Sequence, residues 1–222
     1  NGGLGLGMSV GLAGAGASIV VASRNAEKTR SAVATIKATG ASAIGVACDV
    51  TDAEAISAAV AEAVETCGGI DILINNSGTS FRAQVEDIPD DEWDRVLDTN
   101  LKGVFMVSKA VYPEMKKRGG GKIINIGTMM SIFASEYASP YAASKGGVVQ
   151  LTKACAIAWA KDGIQVNTIL PGWIHTDMTG AFLKMYPERE ALISDRTPAG
   201  RWGQPHELAG TAVFLASASS DF

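Results

Sequence analysis

The chain is short of the residues on which several functions depend. Its 222 residues hold only 3 Cys, 2 His and 7 Pro, and 19 basic against 23 acidic side chains leave a formal charge of −4. Cys48, Cys67 and Cys155 are far apart with no C-x-x-C pair, and two histidines cannot complete the common zinc sets. No metal site is therefore expected, and reduced thiols in a cytoplasmic protein are. A pI near 5.2 and the lack of any long Lys/Arg block argue against a nucleic-acid partner. The one basic run, Lys116-Lys117-Arg118, reads as the last turn of a helix. No apolar run approaches the ~18 residues of a membrane span, and no secretory leader is read at the start, so no membrane partner is expected.

What the sequence does have is glycine, 25 residues of it, and 47% hydrophobic residues, enough for a large core. Short β-branched runs alternate with stretches of helical period. The runs are residues 17–23, 43–47, 70–74, 122–126 and 164–170, mostly continuous in Ile, Val, Leu and Ala, as strands buried on both faces are. Between them, Asn25 can cap a helix that Gly40 stops, Thr51 and Glu54 have capping-box spacing, and long helices are expected over about 91–117 and 141–161. Strand–helix–strand repetition of this kind predicts an α/β protein with a single doubly wound parallel sheet and helices on both faces. With no linker and no repeat, residues 1–222 read as one domain.

Such sheets bind ligands beyond the carboxyl ends of their strands. There the chain places Arg24, Asp49, Asn75-Asn76-Ser77-Gly78, Thr128 and Pro171-Gly172. Its opening glycines, Gly3-Leu4-Gly5, could let a helix N-terminus approach a pyrophosphate. Tyr141 and Lys145, four apart, share a helix face, and an ammonium beside a phenol would lower the phenol's pKa towards usefulness as a general acid/base. Taken singly, each signal has an ordinary alternative: a tight turn, or an amphipathic helix with a surface lysine.

Together, in this order and spacing, they resemble the short-chain dehydrogenase/reductase family over essentially the whole chain. The matches are Gly3-Leu4-Gly5, Asp49-Val50, Asn75-Asn76-Ser77-Gly78, Asn100, Tyr141-x-x-x-Lys145, and Pro171-Gly172 followed by Thr176. The resemblance implies a Rossmann-type fold and hydride transfer between a secondary alcohol/ketone pair and a nicotinamide cofactor. It further implies that Tyr141 exchanges the proton and that Lys145 lowers its pKa and holds the nicotinamide ribose. Asn100, at a helix irregularity, would anchor a water. For the cofactor it implies Gly3, Leu4 and Gly5 at the pyrophosphate and Asp49 and Val50 at the adenine. Asn76, Ser77 and Gly78 would lie along the adenosine half, and Pro171, Gly172, Ile174 and Thr176 by the carboxamide. A homotetramer is implied as well.

The chain departs from the family pattern in two ways. The hydroxyl thirteen residues before the tyrosine is Thr128 instead of the usual Ser, with Ser131 as the alternative. The strand and Thr-Gly expected ahead of the glycine loop, and a last strand, are missing from these residues, so the segment alone is expected to be insoluble or molten. For cofactor choice, Ser23-Arg24-Asn25 carries a basic fork and no carboxylate after the first strand, which favours NADP, with NAD the alternative.

Residues 179–201, with Lys184, Glu188, Arg189 and Glu190, correspond to a substrate lid. Arg82 could reach a substrate carboxylate. Trp93 and Trp159 read as packing, Met129 and Met130 as pocket filler, and His175 and His206 as exposed. The text around Thr128 and Arg24 looks most like gluconate 5-dehydrogenase-like members acting on sugar acids or sugars. Two alternatives stand beside this: a 3-oxoacyl thioester reductase (acyl-carrier-protein reductase-like), and a non-catalytic cofactor-binding sensor.

Overall fold

The computed structural model describes residues 2–222; Asn1 lies outside the described residues. They form two compact units. The five strands are parallel where their register is given, and they pair as two sheets, one of β1 (Ile19–Ser23) and β2 (Ala43–Ala47), the other ordered β3 (Ile72–Asn75), β4 (Gly121–Ile126), β5 (Ile164–Ile169). Parallel strands alternating with helices make the α/β fold that the sequence predicts.

One unit comprises residues 2–45 and 171–214. It holds helix α1 (Gly3–Gly14), β1, α2 (Ala26–Lys37), part of β2, and α8 (Asp177–Met185) and α9 (Arg189–Arg196). Asn25 caps α2 by accepting from the Lys28 N–H at 2.9 Å, as its sequence position predicts. Gly7 and Gly11 stand one turn apart on α1, where a Cβ would collide with the backbone of Pro205 and the side chain of Ala209. Those glycines let α1 lie against the turn 205–208 and the start of α10 (Ala209–Ala216).

The other unit comprises residues 46–170 and 215–222. Helix α3 (Ala53–Cys67) begins it. Its cap is Asp52, whose Oδ1 accepts from Glu54 N at 2.8 Å and Ala55 N at 3.2 Å. The capping box expected at Thr51 is therefore not made: Thr51 is turned back, its N–H and hydroxyl both donating to Asp49. Helix α4 (Asp90–Leu97) runs through a π turn (Asp98–Lys102) into α5 (Gly103–Lys117), and after the short α6 (Met130–Phe133) comes α7 (Ser139–Trp159). Val111 and Met115 of α5, Ile123 of β4, and Ile164 and Val166 of β5 form the core, with Trp159 packed against it and stacked on Tyr112 at 4.9 Å. Trp93, expected to pack, is 37% exposed on α4, while Val96 is fully buried.

Candidate active site

Tyr141, Ser144 and Lys145 stand in the first turns of α7, which Pro140 helps to start because a first-turn residue needs no N–H partner. Lys145 is 3% exposed. Its Nζ donates to the Ile126 carbonyl at the end of β4, 2.6 Å away, and lies 5.9 Å from the centre of the Tyr141 ring. Burial lowers its pKa from 10.5 to about 8. Burial also raises the Tyr141 phenol, opposed by a hydrogen bond with the Thr128 hydroxyl and, more weakly, by the Arg82 charge. The ammonium is turned to a backbone carbonyl and the ring, and the groups that favour the phenolate are Thr128 and Arg82.

Thr128 lies two residues beyond β4 and is 9% exposed. The Ser131 hydroxyl accepts from the Thr128 N–H at 3.3 Å, and the Thr128 hydroxyl accepts from the Met130 N–H at 3.4 Å. Ser131 thus shapes the turn that carries Thr128. Asn100 is fully buried in the π turn, an irregularity that the family resemblance predicts there. Its amide is spent: Nδ2 donates to Thr79 O at 2.8 Å and to Ser144 Oγ at 3.1 Å, and Oδ1 accepts from Thr79 N at 2.8 Å. A Cβ on Gly78 would lie 3.4 Å from Asn100 Oδ1 and 3.6 Å from Lys145 Nζ. Gly78 therefore borders the ammonium. Asn76 is half-buried, Ser77 exposed, and Val50 packs against Gly103 at the start of α5.

The other unit carries the remaining expected cofactor residues. Gly3 opens α1 with φ +57°, and a Cβ there would meet the Thr176 methyl at 3.1 Å. Leu4 and Gly5 follow in that first turn, whose N–H groups have no side-chain cap among the described residues. An uncapped helix N-terminus entered through a left-handed glycine fits a diphosphate. Asp177, whose Oδ2 is 3.8 Å from where a Gly2 Cβ would stand, is paired with Lys28 at 3.1 Å, which offsets its charge beside that turn. Ser23 is hydrogen-bonded to Thr29 at 2.9 Å, and Arg24 and Asn25 are exposed at the end of β1.

In the same unit Pro171 is buried and Gly172 exposed; Ile174 bridges to Gly203, and Thr176 caps α8 in a capping box with Thr179. His175 is not simply exposed, as expected, but half-buried and stacked on Trp202 at 5.2 Å. Trp202 continues through Trp173 (5.1 Å) to Phe182 (5.5 Å), so the expected lid consists of α8 and α9 seated on an aromatic row.

Sequence reasoning passed over two features of the catalytic unit. Ser144 was read as a spacer within Tyr141-x-x-x-Lys145, although a serine inside a helix commonly bonds back to the preceding turn. The second is a buried side-chain chain across the sheet. Asn75 Nδ2 donates to Asn125 Oδ1 (2.8 Å), Asn125 Nδ2 to Thr152 Oγ1 (2.8 Å) and Thr168 Oγ1 to Thr152 Oγ1 (2.7 Å). Asn75, Asn125 and Thr168 are direct register partners, which becomes visible only once strand order is known.

A family profile described as Enoyl-(Acyl carrier protein) reductase matches residues 1–222. Gluconate 5-dehydrogenase of Gluconobacter oxydans (strain 621H) is 44% identical over 220 residues, covering 99% of this chain and 86% of the relative. The 5-keto-D-gluconate 5-reductase of Escherichia coli (strain K12) is 41% identical over 223 residues, with the same shares. A crystal structure of a gluconate 5-dehydrogenase from Burkholderia cenocepacia J2315, in complex with NADP and tartrate, superposes with a TM-score of 0.94 at 43% identity, covering 100% of this chain and 86% of that one. With that profile over the whole chain and those relatives at more than 40% identity, the chain belongs to the short-chain dehydrogenase/reductase family of NAD(P)-dependent oxidoreductases.

Proposed function

We propose that this oxidoreductase interconverts a secondary alcohol and a ketone on a sugar acid, with NADP as cofactor and Tyr141 as the proton-exchanging group. The observation that carries the reading is a buried Lys145 whose Nζ lies 5.9 Å from the centre of the Tyr141 ring, with Thr128 and Arg82 as the groups that favour the phenolate. A proton donor, a hydroxyl for the reacting oxygen and a cation suited to a carboxylate thus belong to one unit. The printed names of the relatives, dehydrogenases and reductases of gluconate and 5-keto-D-gluconate, support the same substrate class.

When bound, the nicotinamide cofactor supplies or accepts the hydride. The chain's own residues do the rest. In the catalytic unit, Thr128 holds the substrate oxygen by its hydroxyl. Tyr141, kept protonated by burial, donates its Oη proton to that oxygen in reduction and takes it back in oxidation. Lys145 holds the nicotinamide ribose hydroxyls, and Asn100, both its N–H groups committed to Thr79 and Ser144, anchors a water. Asp49 and Val50 serve the adenine, and Asn76, Ser77 and Gly78 the adenosine half. In the other unit, Gly3, Leu4 and Gly5 hold the diphosphate through α1, Arg24 with Ser23 and Asn25 takes the 2′-phosphate, and Pro171, Gly172, Ile174 and Thr176 serve the carboxamide. The chain works as a homotetramer in the cytoplasm. Phe105 of α5 and Ile157 of α7, 48% and 82% exposed, are the apolar groups such an assembly would cover.

The test is NADPH oxidation with 5-keto-D-gluconate, with simple ketones and with 3-oxoacyl thioesters, on wild type and Arg82→Ala. The reading expects the sugar acid to be preferred and Arg82→Ala to raise its KM on the order of 10–100-fold, as loss of a charged hydrogen bond does. Preference for a thioester, or an unchanged KM, contradicts it. Arg24→Asp is expected to move the NADPH/NADH ratio of kcat/KM towards NADH.

A further inference from the structure

Ser144 is fully buried, and no step above uses it. Its hydroxyl donates to the Tyr141 carbonyl, 2.8 Å away in the preceding turn, and accepts from Asn100 Nδ2 at 3.1 Å. The same Asn100 amide meets the Thr79 backbone with both its ends at 2.8 Å, as a peptide group would in a β ladder. Thr79 opens the segment that carries Arg82, and its hydroxyl is held in turn by Arg95 at 2.6 Å. One hydrogen-bond chain thus runs from the segment bearing the carboxylate-binding cation, through the π turn, to the turn bearing the phenol.

From this continuity we infer that Ser144 is a positioning residue. Its hydroxyl ties the Tyr141 turn to Asn100 and so fixes where the phenol stands with respect to Thr128 and Arg82. The inference rests on Tyr141 being the proton-exchanging group. The physical reason is that every donor in the chain is used. Ser144 has one proton to give, and it goes to the Tyr141 carbonyl; both Asn100 N–H groups are used, on Thr79 O and Ser144 Oγ. Removing the Ser144 hydroxyl leaves one buried Asn100 N–H short of a partner and cuts the tie between Asn100 and the Tyr141 turn. The first turn of α7 has no side-chain cap to hold it otherwise. A displacement of the phenol of well under 1 Å then weakens the Thr128 hydrogen bond, and misplacements of that size are costly to rate.

The experiment compares Ser144→Ala, Ser144→Cys and Ser144→Thr with wild type. Kcat, its pH dependence and NADPH affinity are measured on protein whose folded fraction is fixed by circular dichroism. The expected result is a kcat loss on the order of tenfold for Ala and Cys with NADPH affinity within about twofold. Their alkaline limb for alcohol oxidation should move to higher pH, because the bond that favours the phenolate has loosened. Thr, which keeps a hydroxyl able to reach a carbonyl in the preceding turn, is expected to recover most of the rate. If Ala and Cys lower only the melting temperature, with kcat per folded molecule and the pH limb as in wild type, Ser144 is an ordinary buried serine and the inference falls. Tyr141→Phe run alongside separates the two ideas. Its inactivity with a normal Ser144→Ala overturns the positioning role alone, whereas an active Tyr141→Phe overturns the proton-exchange reading beneath it.

Discussion

The two units handle polar groups in opposite ways. In the unit of residues 46–170 and 215–222, Lys145, Asn100, Ser144, Asn75, Asn125 and Thr152 are all buried and all hydrogen-bonded. In the unit of residues 2–45 and 171–214, ion pairs of the cofactor and lid elements stand in water. The Lys28–Asp177 pair has side chains 56% and 81% exposed, and Arg201–Glu207 57% and 35%. A buried polar group without its partner costs 1–3 kcal/mol, whereas an exposed ion pair contributes roughly 0–1. The first arrangement therefore specifies one geometry, as proton exchange demands. The second leaves α8 and α9 able to adjust, as a segment that admits and releases ligands needs.

Lys145→Met presses hardest on this contrast. Activity is expected to fall by roughly 10²-fold, because the group that holds the nicotinamide ribose in place is lost. Stability should nevertheless rise. The drop from 10.5 to about 8 corresponds to about 3 kcal/mol against the buried ammonium, at the upper end of the roughly 1.5–3 kcal/mol of its charged bond to Ile126. The sign follows from proton uptake: between about pH 8 and 10.5 the unfolded chain binds more protons than the folded one, so wild-type stability climbs with pH across that window. The variant's advantage is full below pH 8 and shrinks above it. Urea melts at pH 7 and pH 10 check this, and a variant less stable than wild type at pH 7 would show that the hydrogen bond outweighs burial.

Thr128→Val should cost about 10²–10³ in kcat, the effect of losing one preorganised donor, and shift the alkaline limb of oxidation upward, because the Thr128 bond lowers the phenol's pKa. Thr128→Ser should retain or exceed wild-type turnover; equal rates for Ser and Val would remove Thr128 from the chemistry. The smallest effect is expected in the other unit. In a double-mutant cycle of Lys28→Ala and Asp177→Asn the coupling should stay below ~1 kcal/mol. A larger coupling would mean that this unit, too, is rigidly specified.

The sequence carries this contrast unevenly. Strands 43–47, 121–126 and 164–169 were legible because buried parallel strands are written as continuous apolar runs, and Asn25 and Gly40 mark their helix directly. Tyr141 and Lys145 could be paired through their spacing, whereas Asn100 came with them only through the family resemblance. The cap at Asp52 was missed because Thr51 and Asp52 are equally good caps in isolation, and Asp49 decides between them by taking Thr51. The direction of the Lys145 ammonium was hidden for a related reason. Spacing on a helix puts Lys145 near the ring, yet the Ile126 carbonyl, nineteen residues back, decides which way the ammonium turns. His175 and Trp202 meet only because the Ile174–Gly203 bridge brings their segments side by side. Contacts made between distant segments leave little trace in local pattern.

The central claim is that the buried Tyr141 phenol moves the proton. Stopped-flow reduction of 5-keto-D-gluconate by Tyr141→Phe, with NADPH affinity measured on the same sample by cofactor fluorescence, tests it most directly. The account predicts hydride transfer slowed at least ~100-fold with NADPH bound as tightly as by wild type. Transfer within threefold of wild type would contradict it.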